Sequence, residues 1–275
     1  MNPLTCQAAV RAASDQLAKL LSDDERGALE EHLAGCDSCS ILMDQLYRTV
    51  AVLGSRPEVQ IPGSLRAMVA DVEGDCAEAV TAQLPHLYAI ANALNADAAD
   101  DLVQETLTSA LADLDADTTA SGLAGALTRL AAVRGPVLES PAVPTAGSDP
   151  DADAAEVYFS EFYTEGPDAG AWVDPPVAWG EARVLPPEDD VVTADEYAAV
   201  DAALAELDPI DAGLVTLVDI EGAPFSQAVI ELDLPSGDAR ERLARARFAV
   251  RSALDRYLRA DARAAARLPG KRSRS

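Results

Sequence analysis

The sequence predicts an all-α protein, and three observations support this fold class. Apolar side chains recur at helical spacing. In the segment that begins at Asp97, those on one face are Val103, Leu107, Ala110, Leu111 and Leu114. Ser22 and Glu25 have the spacing of a capping box, which starts a helix. The strict apolar–polar alternation of a half-buried strand is scarce along the chain.

Four soft metal ligands are concentrated near the N-terminus. His32, Cys36 and Cys39 have the pattern His-x₃-Cys-x₂-Cys, and Cys6 precedes them in an earlier helix. Thiolate and imidazole groups at this spacing form tetrahedral zinc sites, so Cys6, His32, Cys36 and Cys39 are the predicted Zn²⁺ ligands. The alternative is a set of buried small residues with a capped histidine. A small domain, residues 1–75, would gain folding free energy from the metal.

Short helices are expected around these ligands. The capping box opens a helix that Gly35 ends, so that Cys36 and Cys39 form a knuckle before the next helix at Ile41–Leu53. After a break at residues 57–63, which contain two prolines and a glycine, we expect a helix over Ser64–Asp71.

Composition limits the classes to which the protein can belong. The 275 residues carry a net charge of −26, and no apolar run approaches the roughly 18 residues that a membrane span requires. The first residues lack the pattern of a secretory signal, so we expect a cytoplasmic protein with reduced thiols and no membrane partner. The charge is unevenly distributed, because residues 240–275 contain 12 basic and 3 acidic residues. Only this C-terminal segment favours nucleic-acid phosphate.

Two segments separate the N-terminal domain from the basic C-terminal region. Residues 76–140 are predicted to form a helical domain, and residues 141–195, rich in Pro, Asp, Gly and Ala, a linker. Within the linker, Trp172 and Trp179 flank Asp174-Pro175-Pro176. Because exposed tryptophans in a free linker are unfavourable, this pattern predicts a strap that docks on a neighbouring domain.

Residues 196–267 have the spacing of a helix-turn-helix domain. Helices are predicted at Glu196–Leu207, Asp211–Ile220 and Phe225–Leu232, and a turn at residues 233–235 precedes a long helix from Ser236. Near its start this helix, called here the arginine helix, carries Arg240, Arg242, Arg245 and Arg247. Guanidinium groups pair bidentately with phosphate or guanine, which predicts DNA binding. The alternative is a partner-binding or self-neutralising face. Residues 268–275 are a basic tail.

Two family resemblances combine these observations. The pattern of Cys6, His32, Cys36 and Cys39 resembles the zinc-binding domain of anti-sigma factors. The sequence Asp97-Ala-Ala-Asp-Asp-Leu-Val-Gln-Glu-Thr106 resembles the region 2 helix of extracytoplasmic-function sigma factors, and the turn and arginine helix are similar to region 4. The resemblance implies that Asp101, Leu102, Gln104 and Glu105 bind core RNA polymerase. It also implies that the arginine helix reads the −35 element of promoter DNA.

The function that this resemblance implies is a transcription-initiation regulator with its inhibitor fused in cis. The zinc domain and the Ser64–Asp71 helix would hide the polymerase-binding face and the arginine helix, at the high effective concentration of a tethered segment. An alternative stays open, because residues 113–134 contain only Arg129 and Arg134 as basic residues and no aromatic residue on which bases could stack. The alternative is a pseudo-sigma or anti-sigma protein that binds polymerase, or another sigma factor, without melting promoters.

Enzymatic activity finds little support in the sequence. There is no Gly-rich phosphate loop and no Ser-His-Asp order, and His86 is a lone histidine in an apolar helix. We therefore expect a protein without catalytic residues.

Overall fold

The structure, a computed structural model, describes residues 4–56, 59–70, 76–112, 123–134, 162–163, 165–179 and 192–267. These residues are helical apart from turns and one isolated antiparallel bridge between Phe162 and Trp172, so the all-α prediction is confirmed. Predicted features over residues 71–75, 113–122, 135–161, 180–191 and 268–275 lie outside the described residues.

The N-terminal helices are α1 (Cys6–Leu17), α2 (Asp23–Gly35) and α3 (Asp37–Gly54). The side chain of Thr5 caps α1, and Ser22 and Glu25 form the predicted capping box at α2. Gly35 is the last residue of α2, as expected. However, α3 begins at Asp37 and not at Ile41, so Cys39 lies in its first turn. The reason is that Cys36 is the N-cap residue and that the negative charge of Asp37 is stabilised at the positive, N-terminal end of the helix dipole.

The middle helices are α4 (Gly63–Ala70), α5 (Cys76–Leu94), α6 (Ala99–Ala112) and α7 (Leu123–Arg134). A short 3₁₀ turn, Ala96–Ala98, joins α5 to α6, and the side chain of Asn95 accepts hydrogen bonds from the backbone N–H groups of Asp97 and Ala98. On α6, the predicted apolar face is buried at Val103 and Leu107. The helix therefore leaves its acidic side toward solvent.

The C-terminal helices are α8 (Ala194–Ala205), α9 (Pro209–Val215), α10 (Phe225–Glu231) and α11 (Ser236–Arg267). A π turn, Thr216–Ile220, extends α9, which explains why the sequence predicted one helix through Ile220. Asp233 has φ +54°, a left-handed conformation that a short polar side chain tolerates in the turn before α11. The four helices follow one another in the order that the sequence predicted.

The predicted domains pack against one another. One hydrophobic core runs from the end of α3 through α4 to α11, and its buried members include Val52, Leu53, Leu65, Leu87, Leu127, Leu214 and Leu243. A smaller core under α1 and α3 contains Val10, Leu42, Leu46 and Phe162, and Phe248 of α11 packs against it. The N-terminal helices α1 and α3 thus lie directly on the arginine helix α11.

The strap, comprising residues 162–163 and 165–179, docks on the N-terminal helices, as its aromatic and proline content predicted. The backbone N–H of Gln7 donates to the carbonyl of Gly170 at 3.0 Å, and the side-chain amide of Gln45 donates to the carbonyl of Val177 at 2.8 Å. Among the described helices, none is long and apolar enough to cross a membrane.

Candidate metal centre

Three helices bring four ligand atoms together at one end of the N-terminal domain. Cys6 is the first residue of α1, His32 lies in the last turn of α2, Cys36 separates α2 from α3, and Cys39 lies in the first turn of α3. Their sulfur and nitrogen atoms all lie within 4.8 Å of one another. The structure therefore places all four predicted ligands in one cluster.

The geometry of this cluster fits a tetrahedral zinc ion. Zn–S bonds of about 2.3 Å place two sulfur ligands about 3.8 Å apart across a tetrahedral edge. The Sγ atoms of Cys6 and Cys36 are separated by 3.8 Å. The Nε2 atom of His32 is buried and has no hydrogen-bond partner, which is the state expected of a nitrogen reserved for a metal. Three thiolates and one imidazole are a soft donor set that favours zinc, and the ion would pin α1, α2 and α3 together.

The environments of the three thiols differ. Burial raises the pKa of Cys39, against the opposing effect of a hydrogen bond from Trp172, and burial also raises the pKa of Cys6. At Cys36 burial acts in the same direction, but backbone N–H groups of Cys39 and Ser38 donate to the sulfur and hold its pKa below the ordinary value. Cys36 is therefore the thiol best prepared to bind as a thiolate.

A fifth residue, Trp172 of the strap, contacts this cluster. Its indole Nε1–H donates to Cys39 Sγ at 3.2 Å, although the two residues are 133 positions apart in the chain. Sequence reasoning predicted that the strap docks but did not connect it with the metal ligands. Only the tertiary contact shows this connection, because no local spacing relates Trp172 to Cys39.

The four predicted DNA-binding arginines all lie on α11 and have carboxylate partners. Arg240 makes a bidentate pair with Asp15 of α1, at 2.6 and 3.1 Å. Arg242 and Arg245 both bond to Asp211 of α9, at 2.8 and 2.9 Å.

Arg247 is fully buried in the structure. Its guanidinium bonds to both oxygens of Asp219, at 2.6 and 2.8 Å, and to the carbonyl and hydroxyl oxygens of Ser14, at 2.6 and 3.0 Å. In this arrangement Arg247 is inaccessible to DNA, so its predicted role requires both that α1 move away and that Asp219 release the guanidinium.

The predicted polymerase-binding residues lie together on α6 but differ in exposure. Asp101 and Gln104 are exposed, Glu105 is half-buried, and Leu102 is buried in the large core. The expectation that the N-terminal domain hides this face is not met at Asp101 and Gln104, which are exposed: α1 and α3 pack on α11, and α4 is the N-terminal helix that contacts α6.

Comparison with known proteins supports the zinc site, but it identifies no family for the rest of the chain. Residues 6–40 match the family model described as "Putative zinc-finger", which spans all four ligands. No sigma-factor domain model matches the remaining residues. No curated protein and no solved structure matches the chain. The family match and the cluster of Cys6, His32, Cys36 and Cys39 together support zinc binding by a zinc-finger-type segment at residues 6–40.

Proposed function

We propose that this chain is a non-catalytic, sigma-factor-like regulator of transcription initiation, whose zinc finger holds its arginine helix closed in cis. In this proposal α6 binds core RNA polymerase and α11 binds the −35 promoter element. The resemblance of the zinc finger to anti-sigma domains, and of α6 and α11 to sigma regions 2 and 4, supports this assignment.

The observation that carries the proposal is the contact between α1 and the arginine helix. Asp15 pairs with Arg240, and the carbonyl and hydroxyl oxygens of Ser14 accept two hydrogen bonds from Arg247. Both partners belong to the zinc finger. Two of the arginines proposed to meet phosphate are therefore engaged by α1, Arg240 by a carboxylate and Arg247 by hydroxyl and carbonyl oxygens.

The exposure of Asp101 and Gln104 indicates which binding step the zinc finger inhibits. Because Asp101 and Gln104 are open to solvent, while Arg240 and Arg247 are bound by residues of α1, inhibition in cis acts on DNA binding and leaves part of the α6 face free. The closed chain is then expected to bind core polymerase before it binds a promoter.

The test uses a point substitution and not a deletion. Removing residues 1–75 would also remove Val52, Leu53, Leu65 and Val69 from the shared core. Asp15→Ala frees Arg240 with little change in packing, and Glu30→Ala, an exposed position on α2, is the control for loss of one negative charge. An exposed ion pair is worth about 0–1 kcal/mol, so we expect Asp15→Ala to bind labelled −35 duplex DNA about two- to fivefold more tightly than Glu30→Ala.

Fluorescence anisotropy at two salt concentrations measures this difference. Release of Arg240 is expected to steepen the salt dependence of DNA binding, since one more cation meets phosphate. Equal affinity and equal salt dependence in the two variants would refute the gate at Arg240.

A second candidate function is a pseudo-sigma that binds polymerase, or another sigma factor, without opening DNA. The pairing of Arg242 and Arg245 with Asp211 favours it, because these partners belong to the same C-terminal domain and departure of the zinc finger would not free them. Core-polymerase capture followed by an open-complex assay separates the two candidates. Capture with promoter opening supports the sigma-like regulator, and capture without opening supports the pseudo-sigma.

A further inference from the structure

The strap forms a small closed loop that is ordered by its own contacts. The backbone N–H of Tyr163 donates to the carbonyl of Ala171 at 2.9 Å, and the N–H of Gly170 donates to the carbonyl of Tyr163 at 2.7 Å. The rings of Phe162 and Trp172 pack with their centroids 4.3 Å apart. This loop presents the indole of Trp172 in a fixed position.

The loop contacts the zinc finger at the ligands themselves. Trp172 packs against the apolar cluster that contains Cys39, and its Nε1–H donates to Cys39 Sγ at 3.2 Å. Gly170 lies against Thr5, the residue that caps α1 immediately before Cys6; a Cβ at position 170 would lie 2.9 Å from the Cβ of Thr5. The strap therefore contacts one predicted ligand, Cys39, and the residue that precedes another, Cys6.

The other end of the strap reaches the arginine helix. The indole Nε1–H of Trp179 donates to Asp255 of α11 at 2.7 Å. Between the two tryptophans, Gln45 of α3 donates to the carbonyl of Val177 and accepts from the guanidinium of Arg251 on α11. The strap is thus hydrogen-bonded to Cys39 at one end and, directly and through Gln45, to α11 at the other.

We propose that the strap is part of the metal centre: Trp172 donates to the Cys39 ligand, and the strap docks on the zinc finger in a zinc-dependent manner. A hydrogen bond to a ligating thiolate disperses its negative charge and fixes its orientation. Zinc binding and strap docking are consequently coupled, and each strengthens the other by the same factor. This inference uses the zinc site alone and does not depend on the proposed function in transcription.

Two glycines of the strap provide a matched test. Gly170 and Gly166 both have positive φ, +81° and +88°, so alanine causes comparable backbone strain at either position. Only at position 170 does the added Cβ meet the zinc finger, since nothing lies within 4 Å of the Cβ at position 166. Gly170→Ala therefore disturbs docking, while Gly166→Ala controls for strain. A third variant, Trp172→Phe, keeps a ring against Phe162 but removes the N–H donor.

The measurement is the zinc affinity of each full-length variant by competition with a chromophoric chelator. Changes at partners of metal ligands typically cost 10–100-fold in metal affinity, so we expect a loss of about tenfold for Gly170→Ala and for Trp172→Phe. Gly166→Ala is expected to stay within about twofold of the unmodified chain. If Gly170→Ala or Trp172→Phe binds zinc as tightly as Gly166→Ala, the strap is not coupled to the metal and the proposal is overturned.

A fluorescence measurement tests the coupling from the side of the strap. The chain has two tryptophans, so in Trp179→Phe all tryptophan emission comes from Trp172. Removal of zinc by a chelator is expected to shift this emission to longer wavelength as the indole enters water, and readdition of zinc should reverse the shift. Emission that is the same with and without zinc would contradict zinc-dependent docking.

Discussion

The zinc finger and the arginine helix both contain clusters of polar side chains, but the two clusters differ in the partners that they have within the chain. In the zinc finger, His32 Nε2 has no partner and three thiols surround the same point, so the site is complete only with a ligand from outside. On α11, Arg240, Arg245 and Arg247 already have carboxylate partners within the chain. An unsatisfied cluster indicates a binding site directly, whereas a satisfied one can bind only by exchanging partners.

The largest expected effect is the loss of zinc when a thiol ligand is replaced. We expect Cys39→Ser to lose stoichiometric zinc and the folded zinc finger, because metal binding supplies about 10–16 kcal/mol in small zinc domains. Cys76→Ser, a cysteine outside the His-Cys pattern, is the matched control and should keep one zinc per chain. Elemental analysis and circular dichroism of both variants measure the outcome. Full zinc content in Cys39→Ser would show that the cluster is not the metal site.

The next largest effect concerns the buried pair between Arg247 and Asp219. Arg247→Ala leaves the Asp219 carboxylate buried without its partner, and breaking such a pair typically costs about 3–5 kcal/mol of unfolding free energy. Arg259→Ala, which breaks the surface pair with Asp255 one helical turn away, should cost about 0.5 kcal/mol. Urea unfolding of both variants at constant pH gives the comparison. Similar losses in the two variants would mean that Arg247 is more accessible than its contacts indicate.

These contrasts also explain how much the sequence could predict. The ligands His32, Cys36 and Cys39, the capping box at Ser22 and the turn at residues 233–235 were predictable, because each depends on spacing within a few residues. The start of α3 was wrong by four residues, since the capping role of Cys36 has no strong sequence signal.

The unpredicted contacts join residues that are distant in the chain. Asp219 and Arg247 are 28 positions apart in the chain. The separation is 233 positions for Ser14 and Arg247 and 133 positions for Cys39 and Trp172. Such contacts depend on how helices pack, so the arginines could be identified as a basic surface but not as a paired one. The exposure of Asp101 and the burial of Leu102 on α6 likewise required the packed structure.

The smallest expected effect is a pH dependence of the unfolding free energy that arises at His86. His86 of α5 lies 3.4 Å from Glu221 at the end of the π turn, a distance that suits an ion pair. Glu221 raises the pKa of His86 above its ordinary value of 6.5, against the lowering effect of burial, and Glu231 adds to the increase. The pair therefore stabilises the fold fully below pH 6.5, and this contribution is lost as the pH rises through the raised pKa.

A pair of variants measures this contribution. We expect the difference in unfolding free energy between the unmodified chain and His86→Gln to decrease from pH 6 to pH 8. Glu221→Gln should reduce that pH dependence in the same way. A difference that stays constant over this range would show that His86 and Glu221 do not form an ion pair.

We infer that three sulfur atoms and one nitrogen hold a zinc ion that organises α1, α2 and α3. X-ray absorption at the zinc edge of the full-length chain measures this ligand set. We expect one zinc per chain, with three sulfur neighbours at about 2.3 Å and one nitrogen neighbour at about 2.0 Å. A chain without stoichiometric zinc, or a zinc ion surrounded mainly by oxygen, would contradict it.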